Sequence, residues 1–377
     1  MTRTRTVGIA ATGSILALLA ALGATGVAHA SSHARAAHGS KLVVQSLYPV
    51  PHSSLVYGIA TKGTRSYLVS GRNGHFTVVW APKLKDGALN SVYALSKNNV
   101  FIGGVLGIPS LGCSDCGNGK IEIWHKLGKK VRATNFKRYN FGTGAVSVPQ
   151  FAGSSPKDIW AIGEFNENDT GGPQAMHWNG KNWTLVQVPQ DGDYSGLTSI
   201  ASISPHDAWA VRGGSEGDSD MQHWDGKTWT DTGPVLNVTD SGAVSGEAEK
   251  NVYEYGTNAK GKHAIDKYNG KTWVQMKVSG WPASGIVTNM CTVGKQGWAL
   301  VAYRNAKDLG QAVILHTSGS SWKPVWRSHG GDWEFGSAFE VGSPTHGMFT
   351  GSRAKSQFST PKTFTVSLHG HKWKLAG

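Results

Sequence analysis

The chain has 377 residues, 50 of them glycine and 15 tryptophan, with 16% charged residues and a formal net charge of +13. Leucine-rich helical periods are few, so short strands and tight turns are expected and helix is excluded as the main element. The basic residues are divided by an acidic sector and no nucleic-acid motif occurs, which argues against nucleic acid as the partner.

At the start of the chain Arg3 and Arg5 precede an apolar run over residues 15–22, and Ala28-His29-Ala30 precedes Ser31. That is the pattern of a signal peptide with a small-x-small cleavage site, spanning residues 1–30. A membrane anchor is the alternative, but glycines interrupt the run and it is short for a span. The mature chain is expected to start near Ser31 and to be secreted, extracellular and without a membrane span. Residues 31–40 then form a flexible segment.

From residue 41 one hairpin motif recurs. It reads Arg72-Asn73-Gly74-His75-Phe76, then residues 125–131. Its clearest copies are His177-Trp178-Asn179-Gly180-Lys181-Asn182-Trp183 and His223-Trp224-Asp225-Gly226-Lys227-Thr228-Trp229. Lys267-Tyr268-Asn269-Gly270-Lys271-Thr272-Trp273 follows, then residues 316–322 and 368–373. Successive copies end 44 to 55 residues apart, the period of propeller blades. The Asn-Gly or Asp-Gly pair supplies the backbone angles a tight hairpin needs, and the Trp after it is expected to pack between blades.

A second element keeps the same beat. Asp158-Ile159-Trp160-Ala161-Ile162 aligns with Asp207-Ala208-Trp209-Ala210-Val211 and with weaker copies in the other units. Each follows a Pro- or Asx-set turn from a first strand into a second. The expected fold is all-β, a single propeller domain over residues 41–377 with seven four-stranded blades, six or eight being the alternatives. The blades fall at about 41–83, 84–138, 139–190, 191–234, 235–280, 281–330 and 331–377. Both markers occur once per unit, so the ring is expected to begin with a first strand and end with a fourth.

These D-x-W-A-V-G and H-W-N-G-x-x-W repeats resemble those of secreted β-propeller repeat proteins of actinobacteria, and the hairpins and ring are distantly similar to Asp-box sialidase-type and kelch-like propellers. The resemblance implies a fold and a secreted location and little about activity.

In such a blade the loops from strand two to three, and from strand four to the next blade, share one face. Here they are the long, variable ones, and binding residues favour loops on a rigid scaffold. They carry Tyr139, Tyr194, Trp281 and Trp333, with Asp191, Asp193 and Asp332 beside them. A sugar ring offers an apolar face to Trp or Tyr and hydroxyls to Asp; the alternative is that these aromatics fold back and plug the channel. Carbohydrate binding is therefore expected, on an extracellular glycan or cell-wall polymer, with a protein partner as the other possibility and a monomer as the oligomeric state.

Charge is divided along the chain. Residues 41–145 carry fourteen Lys and Arg against three Asp and Glu, residues 146–255 five against sixteen, and residues 256–377 fifteen against five. One acidic sector thus faces a basic remainder, a field that either steers a partner or only keeps the surface solvated. The acidic segments 164–169 and 216–220 could hold a structural Ca²⁺, though neither has calcium-loop spacing; no cofactor is expected otherwise.

Cys113 and Cys116 sit in a Gly-flanked insertion, where a local disulfide is expected in an oxidising compartment. A zinc site would lack a second ligand pair. Cys291 reads as a small buried side chain. The enzyme alternative is a glycosidase-like use of carboxylates on the loop-rich face, and an arginine cluster of sialidase type would draw on Arg212, Arg304 and Arg353. No Gly-x-Ser-x-Gly elbow is present.

Overall fold

The structure is a computed structural model. It describes residues 42–51, 53–72, 74–83, 87–106, 120–134, 147–165, 172–189, 197–213, 219–232, 236, 243–258, 262–307, 309–328, 333–355 and 362–376. Every regular element among them is a strand, grouped into seven sheets, each built from strands consecutive in the chain and antiparallel but for one short pairing in blade 6. Blade 4 shows the unit: Leu197–Ser204, Asp207–Gly213, Ser219–Trp224 and Trp229–Asp231, hydrogen-bonded in that order. The first strands touch one another in sequence around the ring. That of blade 7 (Trp333–Ser343) touches that of blade 1 (Val43–Pro49), which closes it. Among the described residues no strand is exchanged between the first and last blades.

Alternation of side chains gives each sheet two faces, and the core lies between blades. The tryptophan that opens a fourth strand stands edge-on to the aromatic residue in the second strand of the preceding blade. Trp183 meets Phe101 at 5.7 Å and 90°, Trp229 meets Trp160 at 5.2 Å and 75°, and Trp273 meets Trp209 at 5.4 Å and 88°. Trp322 meets Tyr253 at 5.4 Å and 82°. Edge-to-face contact sets the positive ring edge against the negative face, adding roughly 0.5–1.5 kcal/mol to the area buried.

Each hairpin before these tryptophans has a local cause. Gly180, Gly226 and Gly270 hold φ near +93° (92°, 95° and 93°), where a Cβ would be strained. The preceding Asn179, Asp225 or Asn269 accepts two backbone N–H bonds through its side chain at 2.8–3.0 Å. Bulges interrupt the first strands of six blades near their starts or ends. Thr198 and Thr288 use their hydroxyls there to bond the second-strand carbonyls of Val211 and Leu300.

The Asp and His of the repeat belong together. His177 Nε2 lies 2.6 Å from Asp158 Oδ1 and its ring stacks on Trp160 at 4.3 Å; His223 does the same with Asp207 at 3.0 Å and Trp209 at 4.2 Å. Asn99 with His125 and Gln296 with His316 repeat the pairing without a carboxylate. Asp158 is buried and accepts from Ser154 and, across to blade 4, from Ser202 at 3.0 Å.

One blade departs from four strands. Lys277–Val278, in the connection from blade 5 to blade 6, pairs in parallel with the outer strand of blade 6 (Ser321–Arg327) as a fifth. The preceding outer strand of blade 5, Trp273–Gln275, is only three residues long. The chain therefore leaves it early and finds hydrogen bonds on the neighbouring edge.

Two buried carboxyls give opposite pH dependences. Burial alone would raise Asp158, but the hydrogen bonds from His177, Ser154 and Ser202 outweigh it and hold the group below its ordinary value. Its stabilisation is present above the unfolded carboxylate pKa of about 3.9 and is lost as pH falls through the folded value. Asp158→Ala, which strands three donors, is expected to cost about 3 kcal/mol in urea denaturation at pH 7. Asp207→Ala, at a half-open site with one partner, should cost less. Glu254 is pushed well up by burial and then by the charge of Asp266 opposite it in the sheet. The unfolded chain ionises first, so stability falls as pH rises past about 4.3. Glu254→Gln should therefore stabilise the protein more at pH 9 than at pH 5; an equal change at both would refute the assignment.

Candidate functional site

The loop-rich face carries its best described concavity where blade 5 hands the chain to blade 6. A groove of about 540 Å³, open to solvent, is lined by Gly280, Trp281, Pro282, Ala283, Ser284, Tyr303, Arg304 and Arg327. Tyr303 and Arg304 end the second strand of blade 6 (Gln296–Arg304), and Arg327 ends its outer strand. Three connections thus converge on one edge.

The loop beneath the groove is fastened along its length. Ser279 N–H donates to Trp322 O at 2.9 Å, continuing the parallel pairing of Lys277–Val278. Gly285 N–H closes a turn onto Pro282 O at 2.9 Å, and Trp281 Nε1 donates to Gly285 O at 3.0 Å. Ser284 Oγ accepts from Arg304 N–H and donates to Arg304 O, both at 3.2 Å. The indole lies nearly parallel to His263 (6.2 Å, 10°) and Tyr255 (6.0 Å, 19°), whose own hydroxyl is 2.9 Å from His263 Nδ1. Trp281 is half-buried against the blade 5–6 core together with Met276, Val278, Ile286 and Tyr303.

Charge in the groove is of one sign. Arg327 Nη2 donates to Gly280 O at 2.5 Å, and Gly280 has φ +66°. The described lining residues include two guanidinium groups and no carboxylate. The only hydroxyls are those of Ser284, bonded to backbone, and Tyr303. The described lining thus combines two aromatic rings with two guanidinium groups.

Carboxyls with raised pKa lie elsewhere. Burial pushes Glu122 up to about 7 and Glu340 up to about 8, in the third strand of blade 2 (Lys120–Leu127) and the first strand of blade 7. Glu254 and Asp266 form the one cross-strand pair raised together among the described residues, and Glu254 is closed in beside Val211, Met221 and Leu236. Both carboxyls of that pair are buried.

Of the other residues that the sequence singles out, Trp333 opens the first strand of blade 7, paired with Ala354. Tyr139, Tyr194, Asp191, Asp193, Asp332, Cys113 and Cys116 lie outside the described residues. Cys291 is a free, buried thiol. Arg212, Arg304 and Arg353 stand on the second strands of blades 4, 6 and 7. Arg212 is buried in blade 4, bonded to Asp220, to Asp231 at 3.2 Å and to Pro189 O at 3.0 Å. Arg353, in blade 7, lies over the Phe364 ring at 5.1 Å. Asp220, the one acidic side chain of the two segments that is described, is held by Arg212. Among the described residues no group of three His, Cys, Asp or Glu is placed to hold a metal ion, and no helix is long and apolar enough to cross a membrane.

No family model matches the chain, and no curated protein does. Among solved structures it is similar to the β-propeller domain of the Trilobed protease from Pyrococcus furiosus, with a TM-score of 0.55 and 10% identity over 89% of this chain and 98% of that one. It is also similar to YCF48 bound to a D1 peptide, with a TM-score of 0.52 and 13% identity over 85% and 95%. The six-bladed fucose lectin of Aleuria aurantia gives a TM-score of 0.47 and 14% identity over 78% and 96%. The fold is a β-propeller. Identities this low carry the fold and nothing of the chemistry, so the groove has to be read from its own residues.

Trp281→Ala is expected to cost about 1–2 kcal/mol in urea denaturation, below the roughly 3–5 kcal/mol of a fully buried tryptophan. Arg327→Gln, exposed, should stay within about 0.5 kcal/mol of the parent. A collapse of the fold in Arg327→Gln would show that guanidinium to be structural.

Proposed function

We propose that the protein is a secreted, non-catalytic binding module, and that its ligand is an extracellular glycan or cell-wall polymer held on the loop-rich face at the groove around Trp281. The observation that carries this reading is the fastened aromatic platform. Trp281 presents a ring that its own N–H bond and the neighbouring Tyr255 and His263 rings keep in place, so little conformational entropy is lost when a ligand settles on it. Tyr303 extends the apolar wall, and the arginines supply directional donors. A glycosidase needs two carboxyls flanking the scissile bond, and none lines this groove among the described residues. Cleavage of the leader after Ala30 and release of a chain beginning at Ser31 belong to the same reading.

The test is a binding screen of the chain from Ser31 onward against extracellular and wall polysaccharides, with product analysis of every ligand retained. Binding of an intact polymer is expected, weakened at least about tenfold, or 1.4 kcal/mol, in Trp281→Ala. Shortened products would replace the module by an enzyme. Failure to retain any glycan would refute the glycan reading and turn attention to a protein partner.

A further inference from the structure

We infer that the groove selects a carboxylated sugar unit, a hexuronate within an acidic polysaccharide, with Arg327 gripping the carboxylate while Trp281 and Tyr303 cover the ring. The inference rests on the glycan-module reading and narrows it to one ligand class.

Arg327 is the residue that decides. A guanidinium has five N–H donors in a rigid planar fork. One of them is spent on Gly280 O, which fixes the plane of the group at the groove wall. That approach needs a residue without a side chain: a Cβ on Gly280 would sit 3.0 Å from Arg327 Nη2 and 3.0 Å from Pro324 Cγ. Orienting one edge of the fork onto backbone leaves the guanidinium aligned for two parallel bonds to a planar carboxylate, the geometry in which Arg outperforms Lys.

The rest of the site selects against other anions. Trp281 and Tyr303 reward a ligand with a flat apolar face, which a pyranose ring has and an acyclic polyol phosphate lacks. A teichoic-acid type of polymer therefore satisfies the arginine and wastes the aromatic wall. The described lining residues carry no carboxylate to repel the ligand, and residues 256–377 hold fifteen Lys and Arg against five Asp and Glu, so the surrounding field attracts an acidic chain. A volume of about 540 Å³ falls within the range of roughly 300–1,000 Å³ typical of small-ligand sites.

The experiment is calorimetric titration of the chain from Ser31 onward with trigalacturonate, its methyl ester and a ribitol-phosphate oligomer, at 50 and 300 mM salt as about the low and high ends of useful screening. Trigalacturonate should bind, its methyl ester at least tenfold more weakly, and the ribitol-phosphate oligomer more weakly than trigalacturonate. Arg327→Gln should cost at least tenfold toward trigalacturonate with an unchanged melting curve, and Lys323→Gln, an exposed charge on the same strand, less than twofold. Equal binding of acid and ester would overturn the carboxylate assignment while leaving the glycan module standing. Equal losses in Arg327→Gln and Lys323→Gln would reduce the effect to general attraction and overturn it as well. Tighter binding of the ribitol-phosphate oligomer would overturn the sugar-ring assignment. No binding by any of the three would remove the uronate assignment, and the neutral polysaccharides of the wider screen then decide whether the module reading falls with it.

Discussion

The molecule depends on the edge-to-face contact between the tryptophan that opens a blade's fourth strand and the aromatic ring in the second strand of the blade before it. A single four-stranded sheet of this size cannot bury enough apolar surface to be stable alone, and its two faces need neighbours. The contact supplies those neighbours repeatedly: Trp183 on Phe101, Trp229 on Trp160, Trp273 on Trp209, Trp322 on Tyr253. Each wedge also fixes the angle between sheets, since a flat ring standing on another ring tolerates little rotation. The ring closes by aliphatic packing instead, where the first strands of blades 7 and 1 touch and Met348 of blade 7 packs among Val44, Val56, Ala60 and Val69 of blade 1.

This explains which parts of the fold are legible in sequence. In blades 3 and 4 the wedge, the glycine of the hairpin and the Asp–His pair all stand at regular spacing, so strands and turns can be placed nearly to the residue. In blade 2 the wedge position is Val131, half-buried, and Trp80 of blade 1 meets Trp124 instead. The period survives where the residue does not, because a bulky apolar group from either side fills the gap. The Asp–His pairing was open to inspection as well. Asp158 with His177 and Asp207 with His223 co-occur in the same repeats, and Asn251 stands where the partner is Lys267 and bonds Gly294 O instead. Read one strand at a time, the Asp appears to set a turn; only the cross-strand register shows it holding an imidazole on a tryptophan face.

The groove is legible in part for a related reason. Trp281 stands out because a lone aromatic in a connecting loop is conspicuous, and Arg304 because it follows a predicted strand. Arg327 has no such signal. It ends an outer strand, a position that reads as solvent-facing edge, and it reaches the groove because the connection from blade 5 lies along that edge as a fifth strand. The parallel pairing of Lys277–Val278 spans two residues, too short for any periodicity to reveal. An irregularity of the fold, absent from the repeat, thus creates the site, as expected where function departs from the rule that builds the scaffold.

The place of the groove in the charge map gives the site a direction. It lies within the basic stretch of residues 256–377, which follows the acidic stretch of residues 146–255. An acidic polymer anchored at Arg327 meets attraction on the blade 6 side and repulsion on the side of blades 3 and 4, where sixteen Asp and Glu stand against five Lys and Arg. Both terms are screened over about 8–10 Å at physiological salt, so the basic residues act on the units at the anchor and the acidic sector only on units that extend toward it. A uniform positive surface would hold such a chain in either orientation; the divided one penalises the wrong orientation, which is how specificity is usually obtained from modest charges.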